Sequence, residues 1–344
     1  MHAIEFFFIQ FLYMFFSIII PIYNRPEEID ELLKSLTTQT YSKPYEIVIV
    51  EDGSSITCQH IVDNYKNQLN ISYYFKTNSG PGASRNYGME KAKGDYFIIF
   101  DSDCLIPSNY LNEVDAYLTT NFVHCFGGPD AAHQSFSNIQ KAINHTMTSF
   151  LTTGGVRGGS EKIDKFQPRS FNMGLSKEAY NVTKGYGKIH PGEDPDLSIR
   201  LWNLGYQTAL IPQAFVYHKR RIDFNKFYIQ VNKFGKARPI LDTWYPKYAK
   251  FTYWFPVLYI FQLFLSIALL VFGIKFLLIL NVFYLVLIAL EATIKNKSIK
   301  IGFLSILTTL IQFYGYAKGF AKSFFYVKIL KKDPKLALPE MFFK

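Results

Sequence analysis

From Phe251 to Ile274 the chain runs 24 positions without a charged residue, and after the single Lys275 it runs another 15, from Phe276 to Leu290. A third uncharged run of 17 covers Ile301 to Ala317. A bilayer core accepts helices of about 20 mostly apolar residues, because a helix satisfies its own backbone polar groups. The first run reaches that length unaided; the other two reach it with flanking residues whose lysines extend toward headgroups. We expect membrane helices at roughly 252–273, 276–293 and 300–320. Pro256 near the start of the first, with Trp244, Tyr245, Tyr248, Tyr253 and Trp254 around it, reads as an interfacial aromatic belt.

Charge divides the chain just before these runs. From Lys219 onward 20 basic residues face 5 acidic ones, whereas the part up to His218 holds 17 basic and 22 acidic. The net +10 is therefore not the footprint of a nucleic-acid binder. Its surplus flanks apolar runs, and Lys219 to Lys250 form a basic juxtamembrane belt suited to anionic lipid. With the N-terminal part cytosolic, two crossings return Lys295, Lys297 and Lys300 to the cytosol, as the positive-inside rule asks. A third crossing would export Lys318, Lys322, Lys328, Lys331 and Lys332, so the third segment is left open between crossing, re-entrant and interfacial. Cys58, Cys104 and Cys125 have no metal-ligand spacing and leave one thiol over, which excludes a zinc module or a disulfide framework and fits a reducing compartment.

At the other end, Phe6–Ile20 is apolar apart from Gln10 and Ser17 but lacks a positively charged n-region and a small-residue cleavage site. Ser17–Tyr23 reads as a buried strand ended by Pro21 and Asn24, which excludes a lipid-facing helix there. The expectation is a natural start at Met14, with residues 1–13 as upstream read-through. Beyond it, strand-like runs at Ser17–Ile22, Glu46–Glu51, Ile71–Phe75 and Tyr96–Phe100 alternate with helical patterns at Pro26–Leu36 and Ser84–Ala92 and a polar helical stretch at Ile56–Asn67. Near-continuously apolar strands alternating with helices imply an α/β domain with a mainly parallel sheet covered on both faces. The expected organisation is an α/β domain over 14–225, a basic and aromatic juxtamembrane segment over 226–250, two or three membrane helices over 251–322 and a basic tail over 323–344.

Ligands of such sheets bind at the carboxyl ends of the strands, and polar residues gather there. The first strand ends in Pro21-Ile22-Tyr23-Asn24-Arg25, the second in Glu51-Asp52-Gly53-Ser54-Ser55, and a later one in Asp101-Ser102-Asp103. Each alone is more often a capped turn than a site; three in one sheet point to a site. Asp101 and Asp103, leaving a strand buried on both faces, suit a hard divalent cation such as Mg2+ shared with a diphosphate. The turn Asn78-Ser-Gly80-Pro-Gly82-Ala-Ser-Arg85-Asn86 opens a helix whose backbone donors and Arg85 suit an anionic ligand, though it has neither the P-loop lysine nor dinucleotide spacing.

A second acidic cluster, Gly192-Glu193-Asp194-Pro195-Asp196, precedes a helix expected to start at Pro195, run to about Leu204 and close at Gly205, which makes Asp194 its N-cap. A carboxylate there serves as a cap or as a base toward an arriving hydroxyl, and spacing does not separate the two. His218 follows the apolar run Ala214–Tyr217 and precedes Lys219-Arg220-Arg221; it is a structural histidine or, as a neutral imidazole, a metal ligand.

With these residues assembled, the chain resembles the family 2 inverting glycosyltransferases with a GT-A domain, over roughly Phe16 to Arg221. The motifs Ser-Ile-Ile-Ile-Pro-Ile-Tyr-Asn-Arg (17–25), Ile-Val-Ile-Val-Glu-Asp-Gly-Ser-Ser (47–55), Gly-Pro-Gly-Ala-Ser-Arg-Asn (80–86), Ala-Lys-Gly-Asp-Tyr-Phe-Ile-Ile-Phe-Asp-Ser-Asp (92–103) and Gly-Glu-Asp-Pro-Asp-Leu-Ser-Ile-Arg-Leu (192–201) stand in the family's order.

The resemblance implies a nucleotide-diphospho-sugar transferase domain followed by C-terminal membrane helices. It implies that Pro21, Tyr23, Glu51 and Asp52 hold the nucleoside, with Asp52 toward the base, and that Arg85 and Asp101 join the donor site. Glu51 departs from the Asp-Asp pair common in the family. Asp101 and Asp103 correspond to the DxD motif that binds Mg2+ or Mn2+, Asp194 to the catalytic base, and His218 to a histidine after the last domain strand.

Gln230 is followed by Val-Asn-Lys-Phe, so the Gln-x-x-Arg-Trp motif of processive synthases is missing. The implied activity is transfer of a single sugar, with inversion, from a UDP-, GDP- or dTDP-sugar to a lipid-linked acceptor in cell-surface polysaccharide assembly. The implied setting is a bacterial inner membrane with the catalytic domain in the cytosol, and no nucleic-acid partner. Alternatives are glycosylation of a membrane lipid or of polyprenyl phosphate, and an inactive scaffold of a glycan-assembly complex. The segment Phe126–Arg169, with Asp130, His133, Arg157 and Arg169, is expected to shape acceptor recognition.

Overall fold

The computed structural model describes residues 14–133, 135–154, 165–219 and 223–343. The expectations for residues 1–13, Arg157, Arg220 and Arg221 lie outside the described residues. The chain divides into two compact units. The first comprises Met1–Asp130, Asp164–Gly187 and Arg200–Tyr217; the second comprises Ala131–Ile163, Lys188–Ile199 and His218–Lys344.

The strands are β1 (Phe16–Ile22), β2 (Tyr45–Asp52), β3 (Ile71–Lys76), β4 (Tyr96–Phe100), β5 (Cys104–Leu105), β6 (Cys125–Gly127), β7 (Asp130–Ala131), β8 (Asn172–Ser176), β9 (Thr208–Leu210) and β10 (Val216–His218). Seven of them form one sheet in the order β3-β2-β1-β4-β8-β6-β9, and a small second sheet has the order β5-β10-β7. β3, β2, β1 and β4 run parallel, β8 is antiparallel to both β4 and β6, and β6 is parallel to β9. The expected parallel core is thus present, and β8 is the strand that reverses it.

Period-two alternation sorts β1 between two layers. Ile18 and Ile20 are buried in one cluster with Ile29, Leu32 and Leu33 of the Pro26–Leu36 helix. Ile19 points the other way, where a Cβ on Gly88 of the Pro81–Lys91 helix would lie 2.6 Å from its Cγ2. The latter helix starts three residues earlier than the Ser84 expected, because Gly80 at φ 91 turns the chain and Pro81 fixes φ for a first turn. The Ile56–Asn67 helix contracts to Gln59–Asp63, in which Val62 is the buried side chain.

The second unit is helical. Phe251–Phe272, Phe276–Asn296 and Ile299–Ile329 are each long and apolar enough to cross a membrane. The first two are joined at Gly273, with φ 76. The third overruns the expected 300–320 because Ser323 and Val327 are still buried. It crosses the Phe224–Trp244 helix at glycines: a Cβ on Gly235 would lie 2.1 Å from Tyr316 O, and one on Gly319 would lie 2.0 Å from Asn232 O. Asn232 Nδ2 donates to Gly315 O at 3.0 Å across the same crossing. Beyond the third helix, Leu338 and Met341 are buried with Ile189, Ile240, Leu241 and Val327.

Candidate active site

In the first unit, the ends of β1 and β2 are tied by short polar bonds. Asn24 adopts φ 52, its amide donates to Ser54 Oγ at 2.8 Å, and its Oδ1 accepts from Ser55 N at 2.9 Å. Asparagine tolerates that left-handed conformation and closes the turn with its own side chain. Tyr23, one residue earlier, is 52% exposed at the mouth of this turn, while Pro21 remains in β1 opposite Val50.

Glu51 and Asp52 are both buried, and they do different work. Glu51 Oε2 accepts from Cys58 N and Tyr73 OH, each at 2.7 Å, and so fixes the loop after β2. Burial, with the Glu51 carboxylate beside it, pushes the Cys58 thiol up to about 12. Asp52 turns to the glycine loop: Oδ1 accepts from Ser79 N at 2.9 Å and Oδ2 from Gly80 N at 2.9 Å, and Lys76 Nζ completes an ion pair. Asn78 Nδ2 donates to Asp52 O at 2.8 Å. Gly53, at φ 70, is required here, because a Cβ would lie 2.7 Å from Asn78 N.

The glycine loop leads directly to Arg85, buried on the Pro81–Lys91 helix. Its Nη2 donates to Asp101 Oδ1 at 2.6 Å, and its guanidinium lies 5.2 Å from the Tyr186 ring centroid. Asn86, the next residue, exchanges bonds with Tyr186, Oδ1 accepting from its amide at 2.8 Å and Nδ2 donating to its carbonyl at 2.9 Å. Arg200 holds the same loop by donating to Thr183 O at 2.7 Å and Gly185 O at 2.6 Å. The exits of β2 and β4 are thereby linked by a continuous chain, from Asp52 through residues 79–80 and Arg85 to Asp101.

Asp101 follows β4 with a side chain 32% exposed, and Asp103 immediately precedes β5. Both offer hard carboxylate oxygens, the donor class of Mg2+ and Mn2+, and the Arg85 bond engages one oxygen of Asp101 while orienting the other. Cys104 is a poor donor by contrast: it is fully buried, its thiol lies 3.4 Å from Phe171 O, and burial pushes it well above the usual thiol range.

Asp194 and His218 belong to the second unit. The helix holding Asp194 begins at Glu193, so Asp194 stands in its first turn and is not the N-cap expected. Glu193 closes that end itself, accepting from Gly192 N at 2.9 Å with Oε2 while His190 Nδ1 lies 2.8 Å from Oε1. Gly192, at φ 134, turns the chain into the helix. Asp196 Oδ1 accepts from Tyr245 OH at 2.6 Å. Glu193 and Asp196 are buried and Asp194 is half-buried between them. His218 is the last residue of β10. Lys76, Tyr186 and His190 were not singled out from the sequence, and Asn78 and Arg200 stood there only as members of longer motifs. Lys76 carried the one usable signal, a cation at the carboxyl end of a strand.

Residues 17–181 match the sequence profile described as Glycosyl transferase family 2. A stretch of 108 residues is 39% identical to the poly(ribitol-phosphate) beta-N-acetylglucosaminyltransferase TarS of Staphylococcus aureus, over 30% of this chain and 19% of that protein. A stretch of 150 residues is 34% identical to an uncharacterized glycosyltransferase of Haemophilus influenzae, over 43% of this chain and 59% of that one. The matches thus span less than two thirds of either relative. Among solved structures, the mannosyltransferase PcManGT from Pyrobaculum calidifontis, in complex with GDP-Man and Mn2+, shares the fold with a TM-score of 0.50 and 17% identity, over 65% of this chain and 62% of that one.

Proposed function

We propose, for a chain whose residues 17–181 are a glycosyl transferase family 2 domain of GT-A fold, that it moves a single sugar from a nucleotide-sugar donor to a lipid-linked acceptor with inversion. The observation that carries this reading is the bonded chain from Asp52 through the glycine loop and Arg85 to Asp101. It fixes two strand exits as one rigid cradle for an anionic ligand. Tyr23 and Asp52 are assigned to the nucleoside, Asp52 acting through the loop it organises, with Pro21 and Glu51 shaping the strand ends behind them. Arg85 is assigned to the diphosphate side, where it holds Asp101 in one rotamer.

Asp101, Asp103 and His218 are assigned to a divalent cation, Mg2+ or Mn2+; when bound, it offsets the charge that builds on the leaving nucleoside diphosphate. Asp194 is assigned as general base. Its carboxylate takes the proton of the acceptor hydroxyl, whose oxygen bonds to the anomeric carbon as the bond to the diphosphate breaks. The configuration at that carbon inverts, and the nucleoside diphosphate leaves with the electron pair.

The basic segment Lys219 to Lys250 supports an acceptor held at a membrane surface. The name of the TarS relative favours a second acceptor class, the hydroxyl of a polyol-phosphate polymer. The test is a panel of UDP-, GDP- and dTDP-sugars offered to the detergent-purified chain with Mn2+ or Mg2+, with lipid-linked glycan and poly(ribitol-phosphate) as acceptors. Asp194→Asn is expected to cut turnover by about 10²–10⁴, the usual worth of a general base, with donor binding kept. Asp103→Asn is expected to lose cation-dependent donor binding as well. Full turnover in Asp194→Asn would remove it from the base role, and failure of every donor would leave the scaffold reading.

A further inference from the structure

The third apolar helix, Ile299–Ile329, is 31 residues long, about 46 Å at 1.5 Å per residue, which is more than a hydrocarbon core of about 30 Å requires. Its contacts show which way it runs. Near its start, a Cβ on Gly302 would lie 2.1 Å from Thr293 Oγ1 and 2.8 Å from Ala289 O, beside the last turns of Phe276–Asn296. In its middle, the Phe313 ring centroid lies 5.6 Å from that of Phe255 and 5.1 Å from that of Tyr259, in the first turns of the Phe255–Leu269 helix. Further on, the Trp254 ring lies 4.7 Å from Phe320 and 5.0 Å from Phe324.

The two preceding helices form an antiparallel hairpin. Tyr259 lies against Tyr284 with ring centroids 5.4 Å apart, and Asn281 Nδ2 donates to Ser266 Oγ at 3.3 Å. Phe255 and Ala292 therefore mark one end of this hairpin and Gly273 the other. A third helix crossing the bilayer would carry its midpoint toward Gly273. This one passes from the last turns of one hairpin helix to the first turns of the other, across the open end.

The segment after it supplies a parity argument. His190 N donates to Met341 O at 2.8 Å, Phe343 N donates to Lys188 O at 3.0 Å, and Ile189 bridges Phe342. Among the described residues no helix between Lys188 and Lys250 is a candidate span, so residues 188–190 stand on the side from which the chain enters its first apolar helix. Both ends of the three-helix stretch are then on one side, and the number of crossings is even.

We propose that the chain crosses the bilayer twice, as the hairpin turned at Gly273, and that Ile299–Ile329 lies in the plane of the interface on the side of residues 188–190. Its exposed stripe agrees: Phe303, Leu307 and Tyr314 at helical spacing, followed by Lys318 and Lys322, which match acyl chains and anionic headgroups. The other side of the helix is covered by protein, with Thr308 Oγ1 2.6 Å from Thr146 Oγ1 and Gly315 and Gly319 against the Phe224–Trp244 helix. Lys318, Lys322, Lys328, Lys331 and Lys332 then remain on the side of Lys295 and Lys297, as the positive-inside rule asks.

The test uses the full chain in sealed membrane vesicles of known orientation, with single exposed cysteines and a membrane-impermeant maleimide. The native thiols are buried. Lys66→Cys in the sheet unit, Lys297→Cys in the turn before the third helix and Lys335→Cys after it are expected to label from one face, and Lys275→Cys from the opposite face. Labelling of Lys335→Cys together with Lys275→Cys would overturn the proposal, and so would labelling of Lys275→Cys from the face of Lys66→Cys. Because the positions are surface lysines, each variant's fold is checked by its thermal midpoint before its label is scored. The outcome does not depend on which sugar, if any, the chain transfers.

Discussion

His145 is buried and its Nε2 lies 3.5 Å from Glu291 Oε2, with Lys295 Nζ on the other carboxylate oxygen at 2.5 Å. Burial holds its imidazole below the usual histidine range, against the pull of the Glu291 carboxylate and with the help of Lys295. In the unfolded chain the same ring takes a proton near pH 6.5, so acid favours unfolding. Stability of the helical unit should be flat above about pH 7 and fall as pH drops through about 6.5, by at most about 1.4 kcal/mol per pH unit. Thermal midpoints in detergent across pH 5–8 check this, and His145→Gln is expected to flatten the acid limb. At this same scale the sequence showed where the acids were, because Glu51 and Asp52 end an apolar strand and Asp101 and Asp103 follow one. It did not show what they bind. The partners of Asp52 sit 24 to 28 positions away and the Arg85 partner 16, at distances set by turns whose geometry no local pattern encodes. Asp194 was placed one residue outside its helix because Pro195 suggested the first position, whereas Glu193 caps that end with its own carboxylate.

Among the elements, the helix crossing at Gly235, Gly315 and Gly319 has the least room for change. A Cβ at Gly319 would stand 2.0 Å from a backbone oxygen of the facing helix, and no rotamer relieves a clash with backbone. Gly319→Leu should force the two helices apart, costing at least the 1–3 kcal/mol (roughly) typical of overpacking. Ala321→Leu, exposed on the same helix, should change the thermal midpoint little. β1 to β4 were legible to within one residue because each is a mostly apolar run between turn residues, whereas β5 to β10, only two to five residues long, carry no such run and were not read from the sequence. Helix faces were less so: the hydropathy of 300–320 announced an apolar helix, but its small residues gave no hint that the partner would be the Phe224–Trp244 helix. The orientation of the third segment stayed open in the sequence for that reason, since only the contacts of Phe313, Phe320 and Gly302 fix its course.

Across the whole molecule, the basic tail expected after the third helix is a docked segment. Leu338 and Met341 are fully buried, and Glu340 reaches Lys236 at 3.0 Å and Lys322 at 3.7 Å. The segment pairs with residues 188–190, three residues before Glu193, and so bears on the placement of Asp194. Met341→Asp should loosen that loop; if Asp194 is the base, turnover is expected to fall several-fold with the Kd for donor nucleotide unchanged, as read by steady-state kinetics beside calorimetry. Charge and composition predicted the cations of this tail, but a short pairing with a loop made far earlier leaves no periodic trace. That pairing also sets an order of events during synthesis. Residues 188–190 emerge from the ribosome roughly 150 positions ahead of the stretch they pair with, and the apolar hairpin is made in between. The loop with Asp194 is therefore completed only after the apolar hairpin has been made, so on the proposed assignment of Asp194 a nascent chain lacks a finished acceptor side.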